Sequence, residues 1–445
     1  MPRPDVRSAS LQRARFVSFD GAVAVSTWQQ RPDRYRHVER DFGAVPRIAR
    51  GGGYSYAAAS FGERVIVQEM GAFDRVLAYD GMTTVRVEAG ITANGLLAWA
   101  RRRRLHFPVL PGYPLVTVGG CIAADVHGKN AVRDGTFSDW VERLTLYHPA
   151  TGFRSIAPDS HPELFEATCG GFGMTGLIVD ATLRLAKLPA ENVAIERQRV
   201  SSLDEALERL SNDDSDFAYS WHDGSAREGQ FGRGMVFRGE WTDASPVAGD
   251  RPFSPMSAAS RGAWRVSLWN RVSVPFANRC FRWLGNRSTR EVKSLFDAAF
   301  PFAHQTLYHR MFGKGGLAEL QIVVPWNAAR DFSASLAKLV NRLDPPLVMF
   351  SAKPFSGSQR SLSPAGKGVL IALDLFRTAR TAAFITEFDA LTIDVGGQPN
   401  VAKDSRLPQT VASRTLPSYD MFRQRIRRID PDRLYQSELS RRLAI

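Results

Sequence analysis

The sequence is poor in cysteine: Cys121, Cys169 and Cys280 are the only three in 445 residues. They form no CxxC pair and no even framework, so the default is a reducing compartment with neither a disulfide scaffold nor a structural zinc centre. Long apolar runs are also lacking. No stretch approaches the roughly 18 apolar residues that a membrane-crossing helix needs, and the opening MPRPDVRSASLQRARF has no apolar core of a secretory signal. Internal repeats and low-complexity tracts are absent too. Acidic residues are in deficit, 45 against 58 Lys and Arg, for a net charge of +13. Such a field either attracts phosphate groups, anionic lipid or nucleic acid, or is a solvated basic surface. No nucleic-acid-binding motif accompanies it, so no nucleic-acid partner is expected. These features predict a cytoplasmic protein, soluble or lying peripherally on the inner membrane.

What is present is ordinary globular material: 44% hydrophobic and 23% charged residues, in a chain long enough for two domains. From Val45 to about Lys187 the pattern is rich in strands, with VPRIA, RVIVQ, TVRVEA, VERLTLYH and LIVDATLRLAKL as candidates. ITANGLLAWARRRR reads as a helix whose terminal arginines complement its dipole, and PELFEATCGG as a short helix ending in glycine. A second unit begins near residue 191. SLDEALERL, DFSASLAKLVNRL and TAAFITEFDAL read as helices, and FAYSWHD, GMVFRGEW, AELQIVVPW and GVLIALDL as strands. Residues 244–290 look loop-like. The last stretch is helical and basic, broken at Asp430-Pro431. Residues 1–45 offer only short apolar pieces in a polar, Arg-rich background.

Four clusters carry chemistry. RGGGYSY, at 50–56, follows a strand. Its glycines leave no side chains in the way and let backbone N–H groups converge on an anion such as a diphosphate. LPGYPLVTVGGCIAADVHGKN, at 110–130, combines small residues, suited to close approach of a flat ligand, with His127 in a loop-like stretch. GGFGMTG, at 170–176, has the spacing of a dinucleotide fingerprint. It follows a helix and opens a strand, the reverse of the Rossmann order, so only a glycine loop against a cofactor remains. NVAKDSRL, at 400–407, gathers a lysine, an aspartate and an arginine, which alone would suit a surface salt-bridge cluster.

Taken in order, RGGGYSY, VTVGGCIAADVHGKN, ELFEATCGGFGMTGLI and AKDSR resemble the successive signatures of decaprenylphosphoryl-β-D-ribose oxidases, within the vanillyl-alcohol-oxidase-type flavoprotein superfamily. The agreement runs from about residue 45 to 190, returns weakly at FGRGMVFRGEW and LQIVVP, and returns clearly at 402–445. Residues 244–310 match poorly. The resemblance implies an α+β, two-domain PCMH-type FAD-binding fold with an antiparallel-sheet substrate (cap) domain. Residues 1–190, completed by 408–445, would bind FAD, and 191–407 would bind substrate. By carry-over, Arg50, Gly51, Gly52, Gly53, Tyr54, Ser55 and Tyr56 would line the FAD diphosphate. Gly112, Thr117, Gly119, Gly120, Ala123 and the run His127, Gly128, Lys129, Asn130 would line the rest of the flavin site, with Ile178 on the adenosine side. Gln321, Lys353 and Lys403 would point into the substrate pocket.

The implied reaction oxidises the 2-hydroxyl of a polyprenyl-phosphoryl ribose to a keto sugar, which a separate short-chain reductase would carry on to the arabinose form. The alternative is a flavoenzyme acting on a soluble polyol, aldonolactone or hydroxy acid. A base must take the hydroxyl proton, and both Lys403 and His127 are candidates for it. Two departures from the pattern matter. Many relatives of the superfamily attach flavin through a histidine in the first glycine loop; here that neighbourhood reads Gly53-Tyr54-Ser55, so FAD is expected to be non-covalent. Actinobacterial members carry a cysteine on the pocket strand, where GVLIALDL places Ala372. Finally, residues 264–287 interleave Trp264, Trp269, Phe276, Phe281, Trp283 and Leu284 with Arg265, Arg271, Arg279, Arg282 and Arg287, with Arg261 just upstream. That mixture suits the headgroup boundary of an anionic membrane, or an amphipathic segment packed on the substrate domain.

Overall fold

The computed structural model describes residues 11–246, 253, 266–284, 290–301, 303–304 and 306–445. Its N-terminal half holds two sheets. In the first, the strands Gln12–Val17, Ala24–Gln30, Ile66–Glu69 and Arg47–Arg50 lie in that order, the outer pair antiparallel and the rest parallel. The first two strands lie in the stretch whose sequence offers only short apolar pieces. Hydropathy passes over them because part of what they bury is polar: Gln29, Gln30 and Gln68 are all buried, and the Gln68 amide donates to Gln30 Oε1 at 2.7 Å. A buried amide costs little when it is paired.

The second sheet is wholly antiparallel, in the order Val76–Tyr79, Thr84–Glu88, Leu177–Arg184, Val141–His148, Gly152–Ile156. The helix Ala93–Arg101 starts where Thr92 accepts from the Gly95 N–H and buries Leu96, Leu97 and Ala100. Its following arginines do more than balance a dipole, since Arg101 binds the Glu191 carboxylate at 3.0 Å. The C-terminal helices Gln409–Thr415, Tyr419–Ile429 and Glu438–Arg442 return to this half. Leu416, Phe422, Ile426, Leu439 and Leu443 share one core with Ala57, Ala167 and Phe172. A main-chain hydrogen bond from Arg47 to the Leu434 carbonyl, 2.7 Å, ties the tail to the first sheet.

The other half is an eight-stranded antiparallel sheet, in the order Arg290–Ser294, Asn192–Val200, Gly234–Thr242, Phe217–Asp223, Leu347–Gly357, Gly366–Phe376, Leu317–Pro325, Gln398–Pro399. The helices Leu203–Ser211, Ala329–Leu343 and Ala379–Asp394 cover one face. They place Leu207, Phe332, Leu336, Val340, Phe384 and Phe388 against Leu320, Ile322, Phe350, Ile371 and Leu373. Side chains alternate across a strand, so Glu319, Gln321, Ser351, Lys353, Ala372 and Asp374 leave the opposite face. There they meet the glycine loops of the N-terminal half.

Within 244–290, otherwise loop-like from sequence, the structure contains the helix Ser273–Leu284. Pro275 falls in its first turn, where the missing N–H costs nothing. Among the described residues no helix is long and apolar enough to cross a membrane.

Candidate active site

The two halves enclose a cavity of about 390 Å³. On the N-terminal side its wall is mostly main chain. The loop after the Arg47–Arg50 strand runs so close to residues 115–117 that a Cβ on Gly52 would stand 2.5 Å from the Leu115 carbonyl oxygen, and one on Gly51 would stand 2.1 Å from Thr117 Oγ1. Gly53 turns at φ +72°, a conformation that favours glycine. Thr117 accepts from the Gly120 N–H at 3.2 Å and opens the short helix Val118–Ala123. Gly119, Gly120, Ala123, Gly173, Gly176 and Ile178 continue the wall. The glycine segment that inverts the Rossmann order therefore does reach the cavity, after the helix Pro162–Thr168 and before the strand Leu177–Arg184.

On the opposite side the wall is made of functional groups. Lys403, in a single helical turn, places Nζ 3.3 Å from Glu319 Oε1 and 4.3 Å from the centroid of the Tyr56 ring. The same turn is tied to the glycine loop, because the Tyr56 N–H donates to the Ala402 carbonyl at 3.0 Å. Asn400 hydrogen-bonds the Gln321 side-chain oxygen, and its amide nitrogen lies 3.4 Å from His127 Nε2. Lys353 Nζ donates to the Gly128 carbonyl at 2.9 Å. The Tyr308 hydroxyl donates to Asp374 Oδ2 at 2.5 Å.

Desolvation dominates the electrostatics. Burial, with Lys353, Lys403 and Lys129 nearby, holds the His127 imidazolium well below its usual range, so the ring is neutral. Burial and the neighbouring lysines Lys129 and Lys403 do the same to the Lys353 ammonium. Burial and then Glu319 push Asp374 up to about 7. The phenols of Tyr56 and Tyr308 are raised by burial and by the two carboxylates.

Of the residues singled out from sequence, the structure brings Gly51, Gly52, Gly53, Tyr54, Ser55, Tyr56, Gly112, Thr117, Gly119, Gly120, Ala123, His127, Ile178, Gln321, Lys353 and Lys403 to one cavity. It does not bring Arg50, Gly128, Lys129 or Asn130 to the wall, and the Lys129 ammonium turns to the Ala299 carbonyl. The Arg50 guanidinium turns to Ser60 Oγ, 2.8 Å away, and lies against the rings of Phe16 and Phe61. Asn130 donates to the Pro108 carbonyl and to Asp134, and Gly128 contributes the carbonyl that holds Lys353. Trp269, for which the sequence left open a membrane boundary or packing on the substrate domain, is buried, its indole N–H donating to the Tyr308 carbonyl at 3.2 Å. Trp264, Arg261, Arg265 and Arg287 lie outside the described residues.

Sequence reasoning missed Glu319, Asp374, Tyr308 and His309, all of which line the cavity. Two of them were within reach. Glu319 sits two residues before Gln321 and Asp374 two after Ala372, so strand alternation alone places each beside a residue already assigned. Tyr308 and His309 fall in the poorly matching middle and carried no signal.

Residues 39–153 match the family model of an FAD binding domain. The chain is 29% identical to decaprenylphosphoryl-β-D-ribose oxidase of Mycolicibacterium smegmatis over 424 residues, 89% of each protein. Shorter similarities reach D-arabinono-1,4-lactone oxidase of Yarrowia lipolytica, 34% over 102 residues (23% of this chain, 19% of the relative), and D-lactate dehydrogenase of Anaerostipes hadrus, 27% over 144 residues (31% and 30%).

Proposed function

This protein is an FAD-dependent oxidoreductase of the PCMH type that acts on CH–OH groups, and we propose that its substrate is a polyprenyl-phosphoryl ribose, oxidised at the 2-hydroxyl to a keto sugar. One observation carries the reading. The substrate-side wall is built of groups that bind hydroxyls, namely Gln321, Asn400, Ser351, Glu319 and Asp374, and among the described residues none of its lining is arginine. A hydroxy acid would ask for a bidentate guanidinium that this lining lacks, and the two lysines of the wall are engaged by Glu319 and by the Gly128 carbonyl. The similarity to the ribose oxidase along nearly the whole chain, against partial matches to the lactate and lactone enzymes, supports the same choice.

The glycine loops at 51–53 and 119–120, with Thr117 and Ile178, would hold FAD, because they line the cavity with main chain and leave it open to a flat cofactor. Bound FAD supplies an acceptor for the hydride that leaves the carbinol carbon. Gln321 and Asn400 orient the sugar, and Lys403 meets the charge that develops on its oxygen. The keto product requires a following reduction, the work of a short-chain keto-reductase. FAD is held without a covalent bond, so acid precipitation releases the yellow colour into the supernatant. Mixing the anaerobic holoenzyme with a polyprenyl-phosphoryl pentose bleaches it. Bleaching by a free polyol or lactone, with none by the lipid-linked sugar, would overturn the substrate.

The surface beside the cavity supports a lipid-linked substrate. On the helix Ser273–Leu284 and the residue before it, Val272, Phe276, Arg279 and Trp283 follow helical spacing and all face outward; Val272 is 79% and Phe276 69% exposed. The opposite face is fixed by Asn278, which donates to Asp223 and to the Val348 carbonyl. An apolar face with an arginine in it suits an anionic bilayer, where each basic residue adds roughly 1 kcal/mol. Anionic vesicles should retain the protein at low salt and lose it in Phe276→Ser/Trp283→Ser. Equal recovery with neutral and anionic vesicles would remove the membrane from the reading.

A further inference from the structure

The substrate-side wall contains two carboxylates face to face. Glu319 and Asp374 are register partners on neighbouring antiparallel strands, so both side chains leave the sheet on the cavity side, and the Glu319 side chain is only 9% exposed. The groups around them come from several elements. Lys403 reaches Glu319 from the turn Val401–Lys403. Tyr56, from the glycine loop, hydrogen-bonds Glu319. Tyr308 donates to Asp374 from the helix Thr306–Arg310. His309, on that same helix, is kept neutral by burial and by Lys403, down to about 4. Asp20, whose charge also reaches Tyr56, is itself paired with Arg377. Lys403 and, at longer range, Lys353 on the strand Leu347–Gly357 face the two desolvated carboxylates, and such a pair keeps a proton that separate carboxylates would lose. His127 would have to charge among three lysines to act as a base, and the Lys403 ammonium is already engaged by Glu319. Lys353, held toward the neutral amine by burial, has its Nζ turned to the Gly128 carbonyl, so the group with an available lone pair and a negative charge is Glu319.

We propose that Glu319 accepts the proton of the substrate hydroxyl, and that Asp374, its register partner on the next strand, governs how readily it does so. The proposal rests on the alcohol-oxidising reading above. The O–H bond breaks and its proton passes to the Glu319 carboxylate. The electron pair left on oxygen closes the C=O bond as the C–H bond leaves with its two electrons for FAD. Lys403, losing its anion, turns its charge to the carbonyl oxygen. Once Asp374 gives up its own proton, its negative charge favours the transfer.

Two measurements on the holoenzyme test this. An infrared titration without substrate should show a protonated-carboxyl carbonyl band that fades as the pH rises through about 7. The band should be absent in Asp374→Asn. In Glu319→Gln, which removes the neighbouring charge, it should fade at lower pH. Rapid mixing with the alcohol that bleaches wild type should find Glu319→Gln slower by about 10²–10⁴-fold, the usual worth of a positioned base, with its FAD content unchanged. Glu319→Asp, which keeps the carboxylate, should recover part of the rate. Asp374→Asn should lose the inflection of the bleaching rate near neutrality that wild type shows. No titrating band, or a Glu319→Gln enzyme bleached at the wild-type rate, would overturn the proposal. If the lipid-linked sugar fails and a free polyol bleaches the enzyme, only the substrate reading falls, and the same variants are measured with the polyol.

Discussion

On the side formed by residues 51–53 and 115–120 the cavity presents main chain, whereas on the side formed by the strands Leu317–Pro325 and Gly366–Phe376 it presents charged and hydrogen-bonding side chains. The first wall works by leaving atoms out, since its glycines bring main-chain segments together where a methyl group would collide. The second works by what it carries, on a scaffold whose reverse face is packed with Leu320, Ile322, Ile371 and Leu373. A wall of the first kind should fail on the addition of one carbon. A wall of the second kind should tolerate added carbon and fail on the loss of one charge.

The largest effect should come from Gly52→Ala. The new Cβ meets a main-chain carbonyl at 2.5 Å, which cannot swing aside as a side-chain tip could. FAD per chain, read from the flavin absorbance of the purified protein, should fall to the limit of detection, and activity with it. Gly71→Ala is the control, because a Cβ there meets nothing within 4 Å. A Gly52→Ala protein that retains its full flavin would end the distinction between the walls.

Lys403→Ala probes the other wall. It deletes the ammonium that faces Glu319 and leaves the glycine loop its hydrogen bond to the Ala402 main chain. Flavin content should stay near wild type while the rate of substrate-driven bleaching falls on the order of 10²-fold, the scale for removing one group that stabilises developing charge. A parallel fall in flavin content would mean that Lys403 supports the loop and not the reaction.

The same contrast explains how much could be read before any coordinates. Glycine clusters are visible in sequence because their meaning lies in composition: RGGGYSY, VGGCIAA and GGFGMTG all reach the cavity. Arg50, Gly128 and Asn130 travelled with those motifs and do not reach the wall, because a motif fixes the path of the chain and not the direction of every side chain along it. The helix-covered sheet was legible from its period in AELQIVVPW and GVLIALDL. Glu319 and Asp374 lie in strand alternation with residues already assigned, but that they face one another depends on which strand lies beside which, and no local pattern carries that. The place of Trp269 stayed open for a related reason. Aromatic and cationic residues mixed in one stretch do not say which ring turns inward, and the Tyr308 carbonyl that holds its indole is far away in the sequence.

The smallest effect separates the two kinds of buried titratable group in the sheet. His222 lies between Ser220 Oγ and the Gly232 carbonyl, at 2.7 and 2.6 Å, and stacks on Phe350, with burial lowering it to about 4. In an unfolded chain a histidine titrates near 6.5. Between those values the unfolded state holds the extra proton, so the stability His222 contributes is complete above about 6.5 and is lost as the pH falls through about 4. Asp374 has the opposite sense. Raised to about 7 from an unfolded value near 3.9, it contributes stability that is complete below about 3.9 and is lost as the pH rises through about 7. Melting curves at pH 5 and pH 8 should therefore diverge. His222→Gln should reduce the loss of stability on going to pH 5. Asp374→Asn should reduce the loss on going to pH 8, each by a shift on the order of a few degrees. Proportional shifts of both variants at both pH values would mean that these groups act by packing alone, and that the carboxylate wall is held at no electrostatic cost to the fold.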